Sequence, residues 1–186
     1  MVYIGLLIAA AAVGLDQLTK YLVVSNMELH QSIPVLKIGG VEVINFSYYL
    51  NDGAAFSKFE GQTTMLIVVT SIFIAGLIVA LLLKKIKRTP YILAASLMIG
   101  GGIGNLIDRI FNGGLVVDFI DFKIINFAIF NVADICAVCG AALMLLTLII
   151  DEIKEYRAKK NSAEEQPEKA PIEEAEDTKD TDDGNI

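Results

Sequence analysis

The feature that most limits how this chain can fold is an uncharged apolar run at residues 63–83. It has the ~20 residues that an α-helix needs to cross a bilayer. Three further runs are long and apolar with a few polar interruptions: residues 2–24, 91–111 and 129–150. A crossing backbone has no water to bond with, so it satisfies its own hydrogen bonds by forming a helix. The sequence therefore predicts an all-α membrane protein with four transmembrane helices.

The first of these runs also has the position of a secretory signal peptide. It lacks a basic start, however, and it continues past Asp16 to Lys20 and Tyr21 with no small-residue cleavage site after the apolar stretch. We therefore interpret residues 2–24 as a retained span.

The net charge of -7 is a property of the C-terminal end of the chain. Residues 161–186 carry ten acidic and two basic side chains, a net charge of -8, which leaves +1 for residues 1–160. This segment is polar, contains proline and lacks aromatic residues, a composition typical of disorder. We predict a membrane domain at residues 1–153, followed by a disordered cytoplasmic tail, first basic and then acidic, at residues 154–186.

Basic residues indicate which ends of the spans face the cytoplasm. They cluster between the second and third spans and again after the fourth, at Lys84, Lys85, Lys87, Arg88, Lys154, Arg157, Lys159 and Lys160. The other two connections, residues 25–62 and 112–128, hold few basic side chains. Both termini are therefore predicted to be cytoplasmic, and the two longer loops are predicted to lie outside.

Three polar residues from different spans are predicted to lie at one depth. With a helix rise of about 1.5 Å per residue, Asp16 and Asn105 lie roughly 21 Å from the inner ends of their spans, and Asp134 lies roughly 24 Å from its own. The hydrocarbon core is about 30 Å thick, so all three reach its outer third. Charged groups inside a span are costly and usually mark a functional interior site. The shared depth favours one polar pocket near the outer face.

Each charged residue of this layer also has a simpler explanation. Asp16 and Lys20 are four residues apart on one helix face and could pair only with each other. Asp108 and Arg109 could lie close enough to the surface for their side chains to reach water.

The first outer loop predicts a small β element. Two runs rich in β-branched residues, at residues 35–38 and 41–46, flank Gly39 and Gly40. A two-residue glycine turn between such runs is typical of a β-hairpin. An amphipathic hairpin with exposed aromatic residues could hold an extended peptide, and strand addition to a sheet edge is one way to do so.

The second outer loop contains a segment that suits acid–base chemistry, Val116-Val117-Asp118-Phe119-Ile120-Asp121-Phe122, because it holds an acid among large apolar residues near a membrane surface. Asn131 and Asp134, three residues apart at the start of the fourth span, share a helix face. Apolar surroundings raise the pKa of a carboxyl group, and a second carboxylate nearby lets one member of the pair keep its proton. Such a pair can activate water with one member and protonate a leaving amine with the other.

Other patterns in the chain receive a structural interpretation. The glycine-rich segment at residues 100–104 lacks the Lys-Ser/Thr of a phosphate-binding loop, so it predicts close helix packing. Cys136 and Cys139 lie inside an apolar run, where helix packing explains them better than redox chemistry. His30 has no cluster of partners that would make a metal site. Asp121 is expected to be a solvated loop acid.

Five short motifs, in this order, resemble the bacterial lipoprotein signal peptidase (signal peptidase II) family over residues 14–150. They are Asp16-Gln17-x-x-Lys20, Asn51-Asp52-Gly53-Ala54-Ala55-Phe56-Ser57, Gly104-Asn105-Leu106-Ile107-Asp108-Arg109, Val117-Asp118-Phe119 and Phe130-Asn131-Val132-Ala133-Asp134. Many family members have Thr in place of Asp52, and the acidic tail lies outside the family core. The resemblance implies an aspartic endopeptidase of the bacterial cytoplasmic membrane. It implies removal of the signal peptide from prolipoproteins, immediately before a Cys that carries a diacylglyceryl group.

The same resemblance implies the roles of the site residues. The catalytic aspartates fall on Asp118 and Asp134. The residues that support the substrate, the dyad and the pocket are Asp16, Lys20, Asn51, Gly53, Asn105, Asp108, Arg109, Asn131 and Ala133. We further expect Asn131 to fix the orientation of the dyad, and Arg109 to bond with backbone or with Asp108.

The resemblance also implies what the protein binds. The expected partners are the prolipoprotein with its diacylglyceryl-Cys, membrane lipids, and peptide inhibitors such as the cyclic peptide globomycin. No metal, cofactor or nucleic acid is implied. A single pocket between four helices needs no partner chain, so we expect a monomer.

Two functions from other classes are compatible with the residues alone. Buried Asp, Arg and Asn side chains also suit a small proton-coupled transporter. Against this, the polar layer is confined to one side and no chain of acids runs through the inner half. In a non-enzymatic scaffold, the acids would serve only helix association.

Overall fold

The structure is a computed structural model, and it describes residues 1–53, 63–125 and 127–164. The elements follow one another as α1 (Val2–Asn26), β1 (Ser32–Ile38), β2 (Val41–Asn51), α2 (Thr63–Leu82), α3 (Thr89–Phe111), β3 (Val116–Phe122) and α4 (Val132–Glu164). Residues Met1–Ile149 form one compact unit, which contains all the residues of the candidate site. The end of α4 belongs to a second unit, Ile150–Ile186.

All four helices are long and apolar enough to cross a membrane, which confirms the predicted class. The third begins two residues earlier than predicted, at Thr89, with Pro90 in its first turn, where the missing proline N–H has no intrahelical partner to lose. The fourth begins three residues later than predicted, at Val132. Its side chains at the start form a cap that is described with the site.

The predicted start of the tail at residue 154 is wrong, because α4 continues as a helix to Glu164. The segment after the apolar run contains good helix formers and no proline or glycine. An ion pair one turn apart joins Lys159 Nζ to Glu155 Oε1 at 2.8 Å. Residues 165–186 of the predicted tail lie outside the described residues.

Small residues let the helices approach one another closely. A Cβ atom at Gly100 would lie 2.6 Å from the Cβ of Ala12 on α1. A Cβ atom at Gly104 would lie 2.6 Å from Asp16 Oδ2 and 3.0 Å from the Cβ of Ala133 on α4. The glycine-rich segment therefore serves helix packing, as predicted, and it lets an acid of α1 reach the start of α4.

The three strands form one antiparallel sheet in the order β1-β2-β3. The predicted hairpin is present, and its two turn residues, Gly39 and Gly40, have φ angles of +57° and +83°. Positive φ at both central residues is the geometry that favours glycine in such turns. The sequence analysis did not predict β3, which pairs with β2 so that Tyr49 faces Asp118 and Asn51 faces Val116.

Neither outer edge of this sheet is a plain row of free backbone groups. On β1, Pro34 lacks an N–H, and the register with β2 shifts on both sides of Leu36. On β3, Ile120 N–H donates to Phe130 O at 2.8 Å, and Phe130 N–H donates back to Ile120 O at 3.1 Å. The loop that precedes α4 thus covers part of the β3 edge.

Candidate active site

Asp134 is held by the cap at the start of α4. Asn131 is the residue just before the helix, and its Oδ1 accepts the N–H of Asp134 at 3.0 Å. In return, Asp134 Oδ2 accepts the N–H of Asn131 at 3.1 Å. This reciprocal arrangement satisfies two backbone donors that a helix start leaves without partners. The sequence Asn131-x-x-Asp134 therefore fixes both the first turn of α4 and the carboxylate of Asp134.

Asp118 lies in the middle of β3 and is 3% exposed. Its Oδ1 accepts Nδ2 of Asn131 at 2.6 Å, and its Oδ2 accepts Nδ2 of Asn51 at 2.9 Å. Asn51 is itself held, because the N–H of Gly53 donates to its Oδ1 at 3.0 Å. The β2–β3 register places Asn51 beside the carboxylate that it contacts.

Asn105 on α3 completes the link between the two acids. Its Nδ2 donates to Asp134 Oδ1 at 2.7 Å, and its Oδ1 accepts Nδ2 of Asn131 at 3.0 Å. Each of the four oxygens of Asp118 and Asp134 therefore accepts one N–H group from the protein. Asn131 contacts both carboxylates, which is the geometry that its expected role in orienting the pair requires.

Beside this pair lies an ion cluster centred on Lys20. Its Nζ lies 2.9 Å from Asp16 Oδ2 and 3.0 Å from Asp108 Oδ2, and it donates to Asn105 Oδ1 at 2.9 Å. The local Asp16–Lys20 pair that we considered thus exists, but it is part of a larger network. The alternative that Asp108 reaches the surface is wrong, because it is 4% exposed and bonded to Lys20.

The two acids of the cluster also bind backbone. Asp16 Oδ1 accepts the N–H of Ala133 at 2.9 Å, in the first turn of α4. Asp108 Oδ2 accepts the N–H of Val117 at 3.0 Å, one residue before Asp118. Both carboxylates therefore fix elements that carry the dyad candidates.

Gln17 is a member of this cluster that the sequence analysis quoted in a motif but gave no role. Its Nε2 donates to Asp108 Oδ1 at 2.9 Å, and to Asp16 Oδ2 and Gly104 O at 3.2 Å each. Its position next to Asp16 in a polar motif of an apolar helix was the available signal.

Arg109 is half-buried and follows Asn105 by one helical turn. Its guanidinium donates to the backbone O of Asn105 at 3.4 Å, which is the backbone bond we expected. Its Nε atom is buried without a hydrogen-bond partner among the described residues.

A cavity of about 490 Å³ lies beside the two acids. Its wall includes Asp118, Asp134 and two of the asparagines that bond to them, Asn51 and Asn105, but not Asn131. The polar part of the wall comprises Asn51, Asn105, Arg109, Asp118 and Asp134, and the apolar part includes Phe127, Ile129, Ile135, Val138 and Cys139. One side of the cavity is thus suited to an acid–base reaction and the other to an apolar ligand.

The environment of Asp118 raises its pKa to about 7. Burial is the largest cause, because it penalises the charged carboxylate, and the negative charge of Asp134 adds to it. The hydrogen bonds from Asn51 and Asn131 and the charge of Lys20 act in the opposite direction. A carboxyl group with such a pKa can both accept and donate a proton near neutral pH.

The expectation that Asp121 is solvated is wrong. It lies in β3, is 6% exposed, accepts the Ser47 hydroxyl at 2.7 Å and lies 2.6 Å from Lys123 Nζ. The unpredicted strand is the reason, because pairing with β2 brings Ser47 to it. Asp121 does not line the cavity.

Two other sequence interpretations end differently. Cys136 and Cys139 are free thiols, but Cys139 is exposed on the cavity wall, contrary to the predicted packing between helices. Of the second motif, Ala54, Ala55, Phe56 and Ser57 lie outside the described residues.

Comparisons with known proteins give a consistent picture. A model of the family described as Signal peptidase (SPase) II matches residues 8–150. The lipoprotein signal peptidase of Brevibacillus brevis is 40% identical over 145 residues, which cover 78% of this chain and 94% of that protein. The lipoprotein signal peptidase of Halalkalibacterium halodurans is 39% identical over 155 residues, covering 82% and 96%. A solved structure described as a bacterial membrane enzyme has a TM-score of 0.71 at 33% identity, covering 80% of this chain and 88% of that one.

Proposed function

Since this chain belongs to the signal peptidase II family, we propose that it cleaves diacylglyceryl-modified prolipoproteins with Asp118 and Asp134 as its catalytic dyad. Membership makes the chain an aspartic-type peptidase rather than the transporter or scaffold considered above. Cleavage takes place immediately before the lipidated Cys and releases the signal peptide.

The observation that carries the dyad is the way the two carboxylates are held. They come from different elements, β3 and α4, and are joined through Asn131 and Asn105 beside one cavity. Among the described residues, no cation lies within ion-pair distance of either carboxylate. Acids that serve only structure are usually neutralised by a cation, whereas this pair is left free to exchange a proton.

The chemistry follows from one shared proton. The ionised member of the pair removes a proton from a water molecule, which attacks the scissile carbonyl. The protonated member donates to the leaving amine, so the pair is ready for the next cycle with the roles exchanged. The raised pKa of Asp118, about 7, keeps both forms accessible near neutral pH.

The neighbouring residues support this reaction. Asn51, Gly53, Asn105 and Asn131 orient the carboxylates through hydrogen bonds, and Arg109 is available to the substrate. The ion cluster and Ala133 hold α1, α3 and α4 together around them. The apolar part of the cavity wall accommodates apolar parts of the substrate.

The proposal includes a place in the membrane. The protein lies in the bacterial cytoplasmic membrane with both termini inside, in agreement with its basic inner segments. The dyad then lies near the outer face, where the acyl chains of a lipidated substrate enter the bilayer. The protein works as a monomer, and globomycin competes for the same cavity.

The test uses purified protein in detergent with two forms of one prolipoprotein, diacylglyceryl-modified and unmodified. Wild type should cleave only the modified form, and it should do so without a proton gradient. Asp118→Asn and Asp134→Asn should each lower the cleavage rate at least about 1,000-fold, because the proton acceptor or donor is lost.

Thermal unfolding of each variant in the same detergent provides the control for folding. Full cleavage by either well-folded variant would exclude that residue from the dyad. Cleavage of the unmodified form at the same rate would contradict the proposed substrate class.

A further inference from the structure

The three asparagines at the dyad are oriented by groups on their far sides. A side-chain amide has an acceptor end and a donor end, so the group at one end determines what the other end offers. Asn51 Oδ1 faces the N–H of Gly53, and Asn131 Oδ1 faces the N–H of Asp134. Both partners are backbone donors and cannot accept a hydrogen bond. Both amides therefore turn their Nδ2 groups toward Asp118.

Asn105 differs from the other two asparagines, because the group that holds its oxygen is the side chain of Lys20 rather than a backbone N–H. Its Oδ1 faces Lys20 Nζ at 2.9 Å, and an ammonium group can only donate. Nδ2 of Asn131 adds a second donor at 3.0 Å on the same oxygen. With its oxygen held in this way, Asn105 must offer Nδ2 to Asp134 Oδ1, which it does at 2.7 Å.

We propose that Lys20 is a positioning residue of the peptidase, which acts through Asn105 by fixing the donor end of this amide on Asp134. This inference rests on the proposed dyad and goes beyond it, because Lys20 touches neither carboxylate. Without Lys20, Asn131 Nδ2 is the donor that remains on the Asn105 oxygen among the described residues, and it also bonds to Asp118 Oδ1 and Val117 O. The Asn105 amide is then held less firmly and can rotate by half a turn. Its oxygen would then face Asp134, and that contact is favourable only when Asp134 carries a proton.

The charges around the dyad give the direction of the effect. On α1 these are Asp16 and Lys20, on α3 Asp108 and Arg109, and the dyad itself contributes one acid from β3 and one from α4. Loss of the Lys20 charge and of the Asn105 donor both favour the protonated dyad. The acid limb of the pH–rate profile should therefore move to higher pH.

Gln17 offers a matched control. It bonds to the same two acids as Lys20, Asp16 and Asp108, and also to Gly104 O, but among the described residues it forms no hydrogen bond with the Asn105 side chain. We therefore compare Lys20→Met with Gln17→Met, since both replacements introduce an unbranched apolar side chain that keeps no donor. Lys20→Arg serves as the conservative variant that keeps the charge and the donor.

The measurements are kcat and KM as functions of pH with the diacylglyceryl-modified prolipoprotein, together with the unfolding temperature. Lys20→Met should lower kcat roughly 100-fold, as the loss of one aimed donor does elsewhere, with little change in KM. Its acid limb should move up by about one pH unit. Gln17→Met should lower the unfolding temperature, lower kcat less than Lys20→Met does, and leave the pH profile where it is in wild type. Lys20→Arg should restore most of kcat.

Two results would overturn the inference: equal loss of kcat in both Met variants, or an unshifted pH profile in Lys20→Met. If Lys20→Met does not fold, Lys20→Gln replaces it, because this shorter neutral side chain keeps a donor near Asp16 but reaches less far toward Asn105. It should show the same shift. Failure of the proposed function is separate, since it would appear as cleavage by Asp118→Asn or Asp134→Asn.

Discussion

The two acids of strand β3, Asp118 and Asp121, have opposite environments, although they are only three positions apart in the sequence. Asp121 accepts the Ser47 hydroxyl and lies 2.6 Å from Lys123 Nζ. Among the described residues, Asp118 accepts its hydrogen bonds from the neutral amides of Asn51 and Asn131, and a second acid, Asp134, is a charged neighbour in the same cavity. Both carboxylates are buried. Burial alone therefore does not prepare an acid for proton transfer. The groups that replace water around the carboxylate determine whether it can exchange a proton.

The difference has a simple electrostatic basis. A cation at contact distance stabilises the charged carboxylate. Asp121 therefore serves structure, because it links β3 to Ser47 of β2 and to Lys123. Amide N–H groups orient a carboxylate without supplying a full charge, and a second acid opposes its ionisation. One strand thus carries a structural acid at one end and, toward the other, the acid that we propose as catalytic.

Cleavage should show the largest contrast between the two acids. Asp121→Asn should keep activity within about threefold of wild type, because it leaves the cavity and the dyad unchanged, whereas Asp118→Asn should lose at least about 1,000-fold. The rate of release of the signal peptide, measured under single-turnover conditions, checks this. A loss at Asp121 as complete as that at Asp118 would reverse the assignment of the two acids.

The pH dependence of stability should show the next largest contrast. The folded-state pKa of Asp118, about 7, lies above its ordinary value of 3.8, so this group contributes stability below about pH 4 that is lost as the pH rises through 7. At about 1.4 kcal/mol per pKa unit, the loss is at most about 4 kcal/mol. Asp118→Asn should remove this component, so it should gain stability relative to wild type between pH 5 and pH 8.

Unfolding in detergent across this pH range measures the effect. Asp121→Asn is the control and should keep the component that Asp118 contributes in wild type. An identical pH dependence in Asp118→Asn and wild type would mean that Asp118 ionises as easily in the folded protein as in the unfolded chain.

The smallest effects should come from the partners of Asp121. Lys123→Met should cost about 1–2 kcal/mol of stability, because the carboxylate is buried but the lysine is 41% exposed and partly screened. Ser47→Ala should cost a similar amount, about 1–3 kcal/mol, since it removes a buried hydrogen bond. Activity should stay near wild type in both.

Lys37→Met tests whether burial is the reason for these costs. Lys37 forms an ion pair with Glu42 at 3.3 Å, but both side chains are exposed. Its replacement should change the unfolding temperature less than Lys123→Met does. An equal change would show that the loss of a lysine charge from this region, rather than the burial of Asp121, causes the lower unfolding temperature.

The helices and the polar layer were predictable because their physical signals are local. Apolar length predicted the four spans, and counting the helical rise placed Asp16, Asn105 and Asp134 at one level before any contact was known. Asn131 and Asp134 were expected to share a helix face, but their cap was not predicted, because we expected the fourth span to begin at residue 129, before both of them. The hairpin followed from two adjacent glycines.

The third strand and the role of Asp121 were not predictable in this way. β3 is separated from β2 by two helices, and no local signal in residues 116–122 indicates a partner strand. Unless the pairing of β2 with β3 is known, the sequence gives no indication that Ser47 bonds to Asp121. The bonds of Lys20 to Asp108 and Asn105 are of the same kind, since they join residues more than eighty positions apart.

The borders of the sheet have a consequence for how a peptide can be held. We considered strand addition as a route to peptide recognition, but Pro34 has no N–H to donate from β1, and Phe130 already bonds to part of the outer edge of β3. Along the described strands, a peptide that adds to either edge therefore meets an interruption within a few residues. If the proposed function holds, the walls of the cavity rather than strand addition select the substrate.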